Sequence, residues 1–68
     1  MADYEATIID QTTKLPKRIF DVLAQASTAD ARATAAAAAG ADYAVGDTIC
    51  LRLLENAWSE NRNVATEA

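Results

Sequence analysis

The apolar positions of this chain change period several times. Tyr4, Ala6 and Ile8 alternate with Glu5, Thr7 and Ile9, the spacing of a short strand inside an extended arm over residues 1–14. Asp10 to Thr13 break that pattern, and the arm has no strand partner close by in sequence. It is expected to lie along a neighbour or to fray. From Pro16 the spacing becomes helical. Ile19, Phe20, Val22, Leu23 and Ala26 share one face of a helix over 16–26, and Lys17, Arg18, Asp21 and Gln25 take the other. Pro16 suits the first helical position, where its missing N–H costs nothing. Ser27 and Thr28 close this segment and offer caps for the next.

The middle of the chain, Ala29 to Gly40, is rich in alanine. Alanine is the strongest helix former, and Gly40 stands where a helix takes a left-handed C-terminal residue, so a helix over 28–39 is favoured. No large side chain anchors it, and it needs another element to approach closely and cover it. The alternation of Ala31, Ala33 and Ala35 with Arg32 and Thr34 also permits an extended strap. Residues 41–47 connect, with Tyr43 and Val45 expected to pack.

Residues 48–60 fit two templates. Cys50, Leu51, Leu53, Leu54, Ala57 and Trp58 make one face of an amphipathic helix, with Asp47 as its N-cap. Ile49, Leu51 and Leu53 also alternate as a strand would. Only the helix accounts for residues 54–58 as well, so the helix is preferred, followed by a polar tail over 61–68. The expected fold is mainly α: a single small domain over 1–68, with two or three short helices and an extended N-terminal arm. The alternative is a small α+β fold with a strand at 47–53.

Size changes the picture. A 68-residue chain makes one domain at most. Chains of this length rarely bury enough apolar surface for more than a few kcal/mol of net stability. Disulfides, metals and partners are the usual remedies. With one Cys and no His, neither an internal disulfide nor an ordinary zinc site is available. The hydrophobic fraction is 51%, but alanine supplies much of it. Association with another copy or a larger partner is the remaining remedy.

Charge and chemistry narrow the function classes. A net charge of −4 disfavours nucleic acid, whose phosphates require clustered Lys and Arg. The one basic knot, Lys14, Lys17 and Arg18, reads as a solvated helix start. No run approaches the ~20 apolar residues of a membrane span. Met1 to Glu5 lack the basic and apolar regions of a signal peptide, so an intracellular or virion-associated protein is expected. Catalysis without His would fall to carboxylates, lysines or Cys50. Cys50 reads as a small buried hydrophobe. The acidic residues form no metal-ligand spacing and the two glycines no phosphate loop. No enzyme activity, cofactor or small-molecule substrate is expected.

The stretch Tyr43 to Leu51 (Tyr-Ala-Val-Gly-Asp-Thr-Ile-Cys-Leu) resembles a phrase found in small head or decoration proteins of tailed bacteriophages. There a Gly-Asp-x-Ile-x-Leu segment forms a strand. The likeness spans these nine residues. Those proteins are longer and continue into a Leu-Pro-x-Gly-Ala turn, whereas Leu53 to Ala57 hold neither Pro nor Gly. The resemblance implies a strand over 47–53 and carries no functional residue across.

The leading expectation is a non-enzymatic structural or assembly subunit that binds other protein chains or its own copies, in specific form a minor capsid or cement protein of a phage-like particle. Its candidate interface residues are Ile19, Phe20 and Leu23 on one face, and Leu51, Leu54 and Trp58 on the other. Trp58 is the candidate anchor, because tryptophan is enriched at binding hot spots. The alternative is a small acidic regulatory or adaptor protein that docks through an amphipathic helix.

Overall fold

A computed structural model of the chain describes residues 1–54 and 59–63. The element order is β1 (Ala2–Ile9), β2 (Pro16–Gln25), α1 (Thr28–Ala39), a 3-10 turn (Gly40–Asp42), β3 (Thr48–Leu53) and β4 (Ser59–Asn63). The strands form one sheet in the order β2-β1-β3-β4, and every neighbouring pair is antiparallel. The fold is therefore α+β, not mainly α, and the alternative with a strand at 47–53 is the closer description.

β1 explains why the helices expected over 16–26 and 48–60 are strands at Pro16–Gln25 and Thr48–Leu53, while residues 55–58 lie outside the described residues. It is a central strand, and both rows of its backbone N–H and C=O groups need partners. β2 supplies one row, pairing Glu5 with Asp21, Ala6 with Phe20 and Thr7 with Ile19. β3 supplies the other, pairing Glu5 with Arg52, Ala6 with Leu51 and Thr7 with Cys50. The arm thus finds its partners inside its own chain. A helix at either place would leave those groups unpaired, and this tertiary demand overrides the local apolar spacing. The first residues of the polar tail, Asn61 to Asn63, complete β4 against β3. Trp58 and residues 64–68 lie outside the described residues.

The hairpin between β1 and β2 turns on Asp10. Its Oδ1 accepts the N–H groups of Thr12 and Thr13, both at 2.8 Å, and its own N–H donates to Leu15 O at 3.0 Å. Pro16 opens β2 at the sheet edge, where a missing N–H is tolerated. Two register shifts flank the strand's middle. Lys17 is an extra residue between the Ile8–Arg18 and Ile9–Pro16 pairs. Leu23 and Ala24 lie between the Tyr4–Val22 and Ala2–Gln25 pairs, opposite Asp3 alone. Ala24 there takes φ 57, and its N–H donates to Asp3 Oδ1 at 2.9 Å.

The alanine run forms α1. Ser27 is its N-cap, with Oγ accepting the Asp30 N–H at 3.1 Å, and Asp30 places a negative charge in the first turn. The helix connects β2 to β3, which run parallel to each other on either side of β1. Ala31, Ala35 and Ala39 recur at one-turn spacing and are buried against the sheet. They meet Tyr4, Ala6 and Ile8 of β1, Val22 of β2, and Ile49 and Leu51 of β3 in one core. The small side chains let the helix lie close enough to bury those strand residues. Arg32 is buried in the same layer and donates from Nη1 to Ile49 O at 2.9 Å.

Candidate interaction surface

The helix covers one face of the sheet, and α1 is the one α-helix among the described residues. The opposite face follows from the strand alternation. Three rows of register partners cross it: Ile19–Thr7–Cys50, Asp21–Glu5–Arg52 and Pro16–Ile9–Thr48. β4 continues these rows at Asn61, Ser59 and Asn63. Thr7, Ile9, Thr48 and Cys50 are half-buried, whereas Ile19 and Leu23 are exposed.

The electrostatics of this face are uneven. Glu5 and Asp21 stand directly opposite each other, an unfavourable like-charge pair. On the other side Arg52 Nε donates to Glu5 Oε1 at 3.2 Å and compensates one of the two. Burial pushes the Cys50 thiol up, and the positive charge of Arg32 offsets part of that. A thiol held protonated is a poor nucleophile.

A second cluster lies at the end of the sheet where the β1–β2 hairpin meets the loop before β3. Asp47 is fully buried. Its Oδ1 accepts Gln11 N–H at 3.0 Å, and its Oδ2 accepts Ala44 N–H at 2.9 Å and Lys17 Nζ at 2.7 Å. Lys17 Nζ also lies 3.6 Å from Asp10 Oδ2. Burial alone would raise the Asp47 carboxyl, but the Lys17 hydrogen bond and the two amides outweigh it and hold the group below its ordinary range. The Thr13 and Thr12 amides lower Asp10, and the bond to Asp47 raises Lys17. The Gln11 amide reaches over Gly46 to donate to Val45 O at 3.0 Å. A Cβ at Gly46, whose φ is +104, would collide with that amide. Among the described residues no buried side-chain donor or acceptor lacks a partner, so the cluster ties two loops together. Among the described residues no group of three or more Cys, Asp or Glu could hold a metal ion, and no helix is long and apolar enough to cross a membrane.

The structure distributes the sequence-derived interface residues over several environments. Ile19 and Leu23 are exposed on β2. Phe20, expected beside them, is half-buried toward α1, with the Arg18 guanidinium 5.1 Å from its ring centroid. Leu51 is fully buried in the core, so it serves the fold of its own chain. Leu54 is partly exposed just past β3, and its N–H donates to Asp3 O at 3.0 Å. Trp58 lies outside the described residues. The amphipathic helices invoked for an adaptor are strands over 16–25 and 48–53. Sequence reasoning took Asp47 for a helix cap and Lys17 for a solvated charge, and it passed over Gln11 and Arg32. Gly46 beside Asp47 was the available signal of a tight, acid-anchored loop. No protein-family model, no curated protein and no solved structure matches the chain.

Proposed function

We propose that this chain is a non-enzymatic structural or assembly subunit, a minor capsid or cement component of a phage-like particle, which docks on other protein chains through the helix-free face of its sheet. The observation that carries this reading is the asymmetry of the sheet. A 68-residue chain covers one face with a helix and leaves on the other Thr7, Ile9 and Cys50 half-buried and Ile19 and Leu23 exposed. An antiparallel sheet tolerates water on one face when that face is polar. Here β-branched and aliphatic side chains interrupt it, which suits a surface that is covered in an assembly. The strand at Thr48–Leu53 also agrees with what the resemblance to phage decoration proteins implies.

The test is gradient sedimentation of extracts from the source cells, with the chain followed by an antibody. Co-sedimentation with a megadalton particle, lost in a Thr7→Arg variant that still folds, is the expected result. A chain found only in the low-mass fractions overturns the proposal.

A further inference from the structure

The outer edge of β2 carries a second surface, which shares Ile19 and Leu23 with the rim of the helix-free face. The alternate positions Leu15, Lys17, Ile19, Asp21 and Leu23 read apolar, basic, apolar, acidic, apolar. The three apolar members are 64%, 58% and 57% exposed, among the most exposed large hydrophobic side chains described. Read backwards from Ile19, the series is its own complement.

We infer that β2 pairs edge to edge with β2 of a second copy, antiparallel, about a two-fold axis at Ile19. In that register Ile19 faces its own mate, Lys17 at the end of the regular ladder comes opposite the mate's Asp21, and Leu15 and the mate's Leu23 lie on the same side just beyond it. On the other side of the strand Arg18 stands opposite the mate's Phe20, a pairing the chain already makes internally at 5.1 Å. Neighbouring registers are worse. An axis at Phe20 sets Ile19 against Asp21, and an axis at Asp21 sets the two carboxylates against each other. Among the described residues no cation pairs with Asp21, which already stands opposite Glu5. The mate's Lys17 relieves that repulsion, since an ammonium has three donors and the bonds to Asp47 and Asp10 leave one over.

The two bulges, at Lys17 and at Leu23–Ala24, bound the regular part of the strand. They keep the ladder short and discourage slipped registers. The contact is isologous, so it closes into a dimer and leaves β4 as the free edge of an eight-stranded sheet. It shares Ile19 and Leu23 with the helix-free face, but its ladder comes from the outer backbone edge of β2 rather than from Thr7, Ile9 or Cys50, so loss of particle binding in Thr7→Arg and loss of the dimer in Asp21→Lys are separate outcomes.

Cysteine cross-linking in a Cys50→Ala background tests the register. Residues opposite each other across antiparallel strands have Cα atoms about 4.5–5.5 Å apart, within disulfide reach. Ile19→Cys is therefore expected to form a covalent dimer under mild oxidation. Asp21→Cys places its thiol about 13 Å along the strand from its mate and is expected to cross-link poorly. Sedimentation velocity of the unmodified chain should show a concentration-dependent dimer, weakened about tenfold by Asp21→Lys, which sets lysines against lysines at two symmetric sites. Equal cross-linking by the two cysteine variants overturns the register, and a monomer up to roughly millimolar concentration, where even a weak complex of this kind forms, overturns the interface.

Discussion

The two faces of this sheet are made by alternate residues of the same strands, yet they hold different kinds of surface. On the covered face Ala6, Ile8, Ile49 and Leu51 have no exposure, and the alanines of α1 close over them. On the other face the same strands present Thr7, Ile9, Cys50 and the Glu5–Arg52 pair, with Ile19 at the rim. The difference comes from the helix rather than from the strands. An alanine helix contributes little apolar area of its own, but it approaches closely enough to remove large strand residues from water. The lesson is that the described residues complete one core, and no second helix among them covers the other face.

Truncation separates the faces most sharply. Ile49→Ala on the covered side is expected to cost about 3 kcal/mol, the lost transfer free energy plus an unfilled cavity. Ile19→Ala on β2, measured at dilute monomer concentration, is expected to cost less than about 0.5 kcal/mol, as exposed substitutions do. Urea denaturation of both variants checks the contrast, and equal losses would mean the uncovered face is packed in the isolated chain.

The loop cluster at the sheet's end comes next. Asp47→Ala leaves the Gln11 and Ala44 amides without their acceptor and removes the Lys17 partner, at a cost of about 2 kcal/mol. Hydrogen exchange should then quicken at those two amides. The same network sets a pH profile. Asp47 and Asp10 are lowered by folding, so their contribution is complete above the ordinary carboxylate value of 3.8 and is lost as pH falls below it. Lys17 is raised, so its contribution is complete below 10.5 and is lost as pH climbs above that. The Cys50 thiol is raised as well, so its contribution is lost above 9.0, and the melting temperature should be level from 3.8 to 9.0 and fall outside those limits. In Asp47→Ala the acid fall should be shallower.

Smaller effects sharpen the backbone argument. Gly46→Ala combines positive φ with the Gln11 contact and is expected to cost about 1 kcal/mol. Ala24→Gly acts in the opposite direction, relieving a left-handed alanine at the β2 bulge. The net gain is expected to be at most about 0.5 kcal/mol, because glycine also loosens the unfolded chain. Differential scanning calorimetry resolves both signs, and a loss in Ala24→Gly would show that the bulge carries no strain.

Some of this architecture could be read directly from residues. The alternation of Tyr4, Ala6 and Ile8 points to a strand, left open against a frayed arm, and those residues form the middle of β1. Alanine propensity, the Ser27 cap and Gly40 favour the helix at Thr28–Ala39 over an extended strap, and the sheet supplies the cover it needs. Pro16–Gln25 and Thr48–Leu53 were ambiguous because their large residues satisfy both helical and strand spacing. Only the pairing with β1 separates Phe20 from Ile19 and Leu23 and sends them to opposite sides. Of the candidate surface, Ile19 and Leu23 were legible as large apolar residues in need of cover. Asp47 was not, because its partners Gln11, Lys17 and Ala44 lie in different segments.

By itself, then, the sequence determined a leaning toward one strand and one helix and a shortage of large side chains. The tertiary structure decided everything that depends on a partner in space: two more strands beside β1, the burial of Asp47 and Arg32, and which face of the sheet stays open. The physical reason is range. Propensity and caps act within a few residues, whereas a strand's backbone groups are satisfied only by another strand, and one central strand in need of two neighbours settled the fate of the rest.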